Sequence, residues 1–115
     1  MMHTELVVNI FYDETKKSTM LKLVRPLDFK FKNINYSIER GFVSDGGSIP
    51  RAFWRILTPL DGRYIKIFVI HDWMYSTNVV SRKDADIFLR DSLKYAGMSC
   101  LLYETCYNSV RLFRK

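Results

Sequence analysis

His71 and Asp72 place an imidazole and a carboxylate side by side inside an otherwise apolar run, Tyr64 to Tyr75. Burying such groups unpaired costs on the order of several kcal/mol, so partners are expected. Two flanking segments can supply them. Upstream lies the turn-rich Ser44-Asp45-Gly46-Gly47-Ser48-Ile49-Pro50, and downstream the charged Ser81-Arg82-Lys83-Asp84-Ala85-Asp86. The three segments are read as one site, and the rest of the chain as its scaffold.

Neighbouring residues on a helix diverge by roughly 100° about its axis, so His71 and Asp72 cannot share one task but can hold adjacent ones. An imidazole whose second ring nitrogen is held by a carboxylate can serve as a general base. Asp86, one helix further on, is the candidate for that orienting group, and Asp72 would then face the Asp45 loop. Two carboxylates with the carbonyls of a glycine loop make an all-oxygen environment, which suits calcium better than zinc. A cation there could polarise a carbonyl or phosphoryl oxygen while His71 activates water. Each segment also has a plainer reading. Asp72 could pair with Arg82, the glycine stretch could be an ordinary turn, and Asp84 and Asp86 could be capping or solvated residues. The order in which the three follow one another is more specific than any one of them.

The elements that would position these groups come in two parts. Glu5 to Phe11, Met20 to Val24, Phe29 to Lys32 and Tyr36 to Arg40 read as short strands, from their β-branched and aromatic content and their alternation. Residues 1–42 are therefore expected to form a small antiparallel β-meander. From residue 43 onward the pattern turns helical. Pro50 suits the first turn of a helix from Arg51 to Leu57. Tyr64 to Ser76 is apolar almost all round and should be a central, buried helix. Ser81 is a plausible N-cap with Asp84 at the third helical position, and the helix it opens should stop at Gly97. Ala85, Phe88, Leu89, Ser92 and Leu93 form its apolar stripe. Ser99 would cap a last helix, Leu101 to about Phe113. The expectation is one α+β domain spanning 1–115, with the strands followed by a bundle of three to four helices.

At 115 residues and 48% hydrophobic content, the chain can build a core and is too apolar for disorder. No apolar window is long enough to span a bilayer and no signal pattern opens the chain, so a cytoplasmic setting is expected. Cys100 and Cys106 are too few for a disulfide framework and fall on different helix faces, so both are expected as free buried thiols. The net charge of +6 favours anionic partners. The basic residues are scattered, however, and nucleic-acid binding would rest on net charge alone.

The blocks Gly41-Phe42-Val43-Ser44-Asp45-Gly46-Gly47-Ser48-Ile49-Pro50-Arg51, His71-Asp72-Trp73-Met74-Tyr75 and Ser81-Arg82-Lys83-Asp84-Ala85-Asp86 resemble a family of small phage and bacterial proteins of unknown function. That resemblance implies an origin in a tailed phage or prophage, with the protein in the host cytoplasm or carried in the virion. The same blocks look like secreted phospholipase A2 enzymes of the compact bacterial and fungal type. Those carry an Asp-Gly-Cys-Ser loop, a His-Asp-x-x-Tyr helix and an Arg-x-x-x-Asp segment. By position, the resemblance makes His71 the base that deprotonates water and Asp86 its orienting partner. It makes Asp45, Asp72 and the Gly46 carbonyl ligands of calcium, with Ser48, Tyr75 and Arg82 in support. Gly47 stands where those enzymes have the loop cysteine, and the opening strands have no counterpart in them. The activity implied is calcium-dependent hydrolysis of an ester in an anionic lipid or envelope component. The alternative is a virion, tail-associated or host-interacting protein in which the same residues form a structural polar network.

Overall fold

The computed structural model describes residues 5–44 and 62–113. The chain divides into two compact units, Met1–Asp45 and Gly46–Lys115. The order read from the sequence holds among the described residues: antiparallel strands come first, and three helices follow.

In the first unit, β1 (Val8–Asp13) and β2 (Ser18–Leu23) form a hairpin paired from Val8↔Leu23 to Asp13↔Ser18. Its turn is held by the Asp13 carboxylate, which accepts from the backbone N–H of Thr15 at 2.9 Å and of Lys16 at 3.1 Å. This is the local side-chain-to-backbone bonding that favours aspartate in turns. A second hairpin joins β3 (Leu27–Phe31) to β4 (Ile34–Ile38). The strand expected to run to Lys32 stops at Phe31, and Lys32 (φ 52°) and Asn33 (φ 64°) form a two-residue loop with both residues left-handed. That is the turn whose twist matches a hairpin, and asparagine tolerates it best. Leu27 and Phe29 point inward with Ile38, and the Phe29 ring stacks on Tyr36 at 5.2 Å.

The strand order is not that of a simple meander. A short β5 (Val43–Ser44), absent from the sequence reading, pairs with β2, so the sheets are β1-β2-β5 and β3-β4. Pro26 has no N–H to give to a ladder, so β3 does not continue alongside β2. The vacated edge is taken by the returning chain: Leu23 N–H donates to the Phe42 carbonyl and Gly41 N–H to the Leu23 carbonyl, both at 2.9 Å. Gly41 makes that return at φ 94°, a conformation glycine adopts without steric cost.

The second unit contains α1 (Gly62–Thr77), α2 (Arg82–Tyr95) and α3 (Cys100–Phe113). The helix expected from Arg51 to Leu57 lies outside the described residues. Helix α1 is as buried as its composition implies, with Tyr64, Ile67, Phe68, Val69, Ile70, His71 and Met74 all removed from solvent. The place between two neighbours belongs to α2, which packs against both α1 and α3. Asn78, at φ 56°, ends α1 and donates its N–H to the Met74 carbonyl at 3.0 Å. Ser81 then caps α2, its hydroxyl accepting from the Asp84 N–H at 3.1 Å. At the far end Gly97 (φ 103°) donates to Lys94 O at 3.1 Å and Met98 to Leu93 O at 3.0 Å. This pair of bonds is the Schellman ending the glycine foretells. Ser99 opens α3 through its carbonyl, which accepts from Leu102 and Tyr103. Both cysteines are free, but Cys100, at the start of α3, is exposed, whereas Cys106 is buried as expected. No helix among the described residues is long and apolar enough to cross a membrane.

Candidate active site

Asp86 sits on the inward face of α2 beside Ala85 and Leu89, and it has no exposed surface. A carboxylate there must be supplied with donors. Three arrive from the two flanking helices. Helix α1 presents His71 and Tyr75, four residues apart and therefore on one face. His71 Nε2 lies 2.8 Å from Asp86 Oδ1, and the Tyr75 hydroxyl donates to the same oxygen at 2.6 Å. Helix α3 contributes Arg111, whose guanidinium donates to Asp86 Oδ2 at 3.0 Å. His71 is also wholly buried, and its ring lies 4.6 Å from that of Tyr75, tilted by 43°.

Two opposed effects set the charge on Asp86. Burial is the largest and pushes the carboxyl upward. The hydrogen bonds from His71, Tyr75 and Arg111, with the electrostatic pull of the imidazole, together outweigh it and hold the group below the ordinary carboxylate range. An ionised carboxylate only accepts, so His71 must donate through Nε2–H. In the neutral form of the ring the lone pair then falls on Nδ1. A carboxylate fixing a histidine tautomer in this way is the arrangement a general base requires.

Two ring contacts fix the register of these groups. The Arg82 guanidinium lies over the Tyr75 ring at 5.3 Å, and that of Arg90 over the Tyr107 ring at 4.8 Å. Along α2, Arg82, Asp86 and Arg90 follow at one-turn intervals. They meet Tyr75 and His71 on α1, and Arg111 and Tyr107 on α3, with the chain direction reversed each time.

The structure therefore brings His71, Asp86, Tyr75 and Arg82 together, with the first two in hydrogen-bond contact. Asp72 is half-buried on α1 next to His71, and its backbone carbonyl accepts from the Ser76 hydroxyl at 3.0 Å. Asp45, Gly46 and Ser48 lie outside the described residues. Among the described residues no group of three or more His, Cys, Asp or Glu side chains could hold a metal. Arg111 was missed by the sequence reading, which counted it among the scattered surface charges. The signal was there: Cys106 and Val110 set the inward phase of α3, and a basic residue follows directly in its last turn.

Three antiparallel helices converging on one buried carboxylate, through an imidazole, a phenol and a guanidinium, define an α+β protein built around a carboxylate-held histidine. Its sequence matches, over residues 21–110, the family described as "Protein of unknown function (DUF1353)". The chain belongs to that family. It is also similar to "Uncharacterized protein y4jT" of Sinorhizobium fredii (strain NBRC 101917 / NGR234), 41% identical over 54 residues. That stretch is 44% of this chain and 16% of the relative, so the chain spans only a small part of the relative's length. Neither description names a reaction, a ligand or a phage. No solved structure matches the chain.

Proposed function

We propose that the chain is a hydrolase of carboxylic esters in which His71 is the general base and Asp86 its orienting carboxylate. The observation that carries this reading is the 2.8 Å contact between His71 Nε2 and a fully buried, ionised Asp86. In the reaction proposed, once water and substrate are admitted to the buried ring, Nδ1 of His71 takes a proton from water as the water oxygen adds to the ester carbonyl. Asp86 stabilises the imidazolium that results. The proton then passes to the departing alkoxide as the C–O bond breaks, releasing an acid and an alcohol. Tyr75 braces Asp86 from α1, the helix that also carries His71.

Calcium belongs to this proposal. Its ligands would be Asp72, Asp45 and the Gly46 carbonyl, an oxygen set that suits a hard cation, and its contribution would be to polarise the carbonyl under attack. The substrate class is an ester of an anionic lipid or envelope component, in keeping with the net charge of +6. A phage-encoded protein acting in the host cytoplasm or from the virion is part of the same proposal. The test is hydrolysis of anionic phospholipid vesicles with and without calcium, with His71→Ala and Asp72→Ala as controls. Turnover that requires calcium and both residues is expected. Absence of turnover on every phospholipid, or equal rates in the variants, overturns it.

A second reading is favoured by one observation: every buried side-chain nitrogen and oxygen among the described residues has a hydrogen-bond partner. A fully satisfied cluster also serves as a packing device, fixing how helices dock. In that case the protein acts as a virion or host-interaction component. Stoichiometric recovery in purified phage particles, with no ester turnover, is the result that selects it.

A further inference from the structure

We propose that Arg111 is a positioning residue for the His71 imidazole, acting through Asp86 from the last turn of α3. The inference rests on the reading of His71 as the base and adds a member to that site. The two oxygens of Asp86 are divided between helices: Oδ1 receives His71 and Tyr75 from α1, and Oδ2 receives Arg111 from α3. Donors on one oxygen alone leave a carboxylate able to turn about its Cβ–Cγ bond. A donor on the second oxygen fixes the carboxylate plane, and with it the direction along which Nε2–H of His71 must point. The ring plane, and hence the direction of the Nδ1 lone pair, follows.

The chemistry of the donor matters as well. Arginine remains charged at any working pH, so the carboxylate it holds stays ionised and acceptor-only. An acceptor-only partner permits one neutral tautomer of His71 and excludes the other. Arg111 differs from its companions in one respect: its side chain is 40% exposed, whereas those of His71 and Asp86 are at 0% and 1%. The orientation of a buried base is thereby tied to the docking of the last helical turn at the surface.

The experiment uses the full chain with ¹⁵N-labelled histidine and the variants Arg111→Met and Arg111→Lys. Nitrogen shifts report which ring nitrogen carries the proton, and the lifetime of the Nε2 proton is read against that of the Leu89 backbone amide. Wild type is expected to show a single Nε2–H tautomer. R111M is expected to populate both tautomers, with Nε2–H exchange accelerated on the order of tenfold relative to Leu89, as suits a lost charge-assisted bond. R111K, which keeps a cationic donor, should restore the wild-type spectrum. A folded R111M with the wild-type tautomer and relative lifetime overturns the proposal, and so does a folded R111K that has lost them. If R111M does not fold, R111K decides by the same criterion. The readout needs no substrate. A chain that hydrolyses nothing while R111M shifts the tautomer removes the ester reaction and leaves the positioning role. Where esters are turned over, R111M should lower kcat on the order of tenfold with KM unchanged.

Discussion

Asp86→Ala removes a carboxylate that His71, Tyr75 and Arg111 share. Arg111 is partly exposed and can turn to water, so its loss costs little. The bonds that the buried His71 Nε2–H and the part-buried Tyr75 hydroxyl make to the carboxylate are both lost. Each buried donor left unsatisfied costs about 1–3 kcal/mol, and the missing carboxyl leaves a small void. Against this, the desolvation penalty that Asp86 carries is relieved. The net expectation is about 3 kcal/mol of lost stability, the size of effect seen when one partner of a buried ion pair is removed. For a chain whose whole margin is about 5–15 kcal/mol, that is a large fraction. Asp86→Asn should fall in between, because its amide oxygen still accepts from α1 while its NH₂ confronts Arg111. Urea titration followed by far-UV circular dichroism measures both. A loss below about 1 kcal/mol for Asp86→Ala, or Asp86→Asn proving the worse of the two, would show that the carboxylate does not tie the helices together.

Two further outcomes follow from the same geometry. Asp86 is held below its unfolded value of 3.8, so the stability it contributes is fully present above that pH and is lost as pH falls through the folded value. Acid titration of the wild type should therefore unfold the chain below about pH 4; Tyr75→Phe, which loses one stabilising bond, should unfold at higher pH, and an unchanged midpoint would contradict the assignment. Burial pushes the Cys106 thiol up to about 12, whereas Cys100 is exposed. A thiol reagent at pH 8 should therefore label one cysteine in the native protein and two in denaturant, and rapid labelling of both in the native state would refute the buried placement.

Local signals carried most of the helical unit. Helix α1 ends one residue past the expected Ser76, and Ser81 and Gly97 bound α2 where the sequence placed the breaks, because caps act within a few residues of themselves. The pairing of His71 with Asp86 was legible for a related reason: a carboxylate inside the Ala85, Phe88, Leu89 stripe has to meet something, and an imidazole on the preceding buried helix is the near candidate. Arg111 was not legible, since the partner comes from 25 residues further on and depends on how α3 docks. The β2–β5 pairing escaped for the same reason. Val43 and Ser44 are too few to show a period, and their place is set by an edge that Pro26 leaves vacant. The two-residue loop at Lys32 and Asn33 was displaced because Lys32 looked like one more position of an alternating strand.

The one-turn ladder along α2 bears on how the chain avoids assembling wrongly. If α2 slid by a single turn against α1, a guanidinium, from Arg82 or Arg90, would confront His71 in place of the carboxylate. If it slid against α3, Arg111 would meet another cation. Apolar stripes of similar width cannot tell neighbouring alignments apart, but this sequence of cation, anion, cation can. Misaligned bundles are thereby penalised by charge as well as by packing, so the residues proposed as catalytic also discriminate among alignments of their own helices.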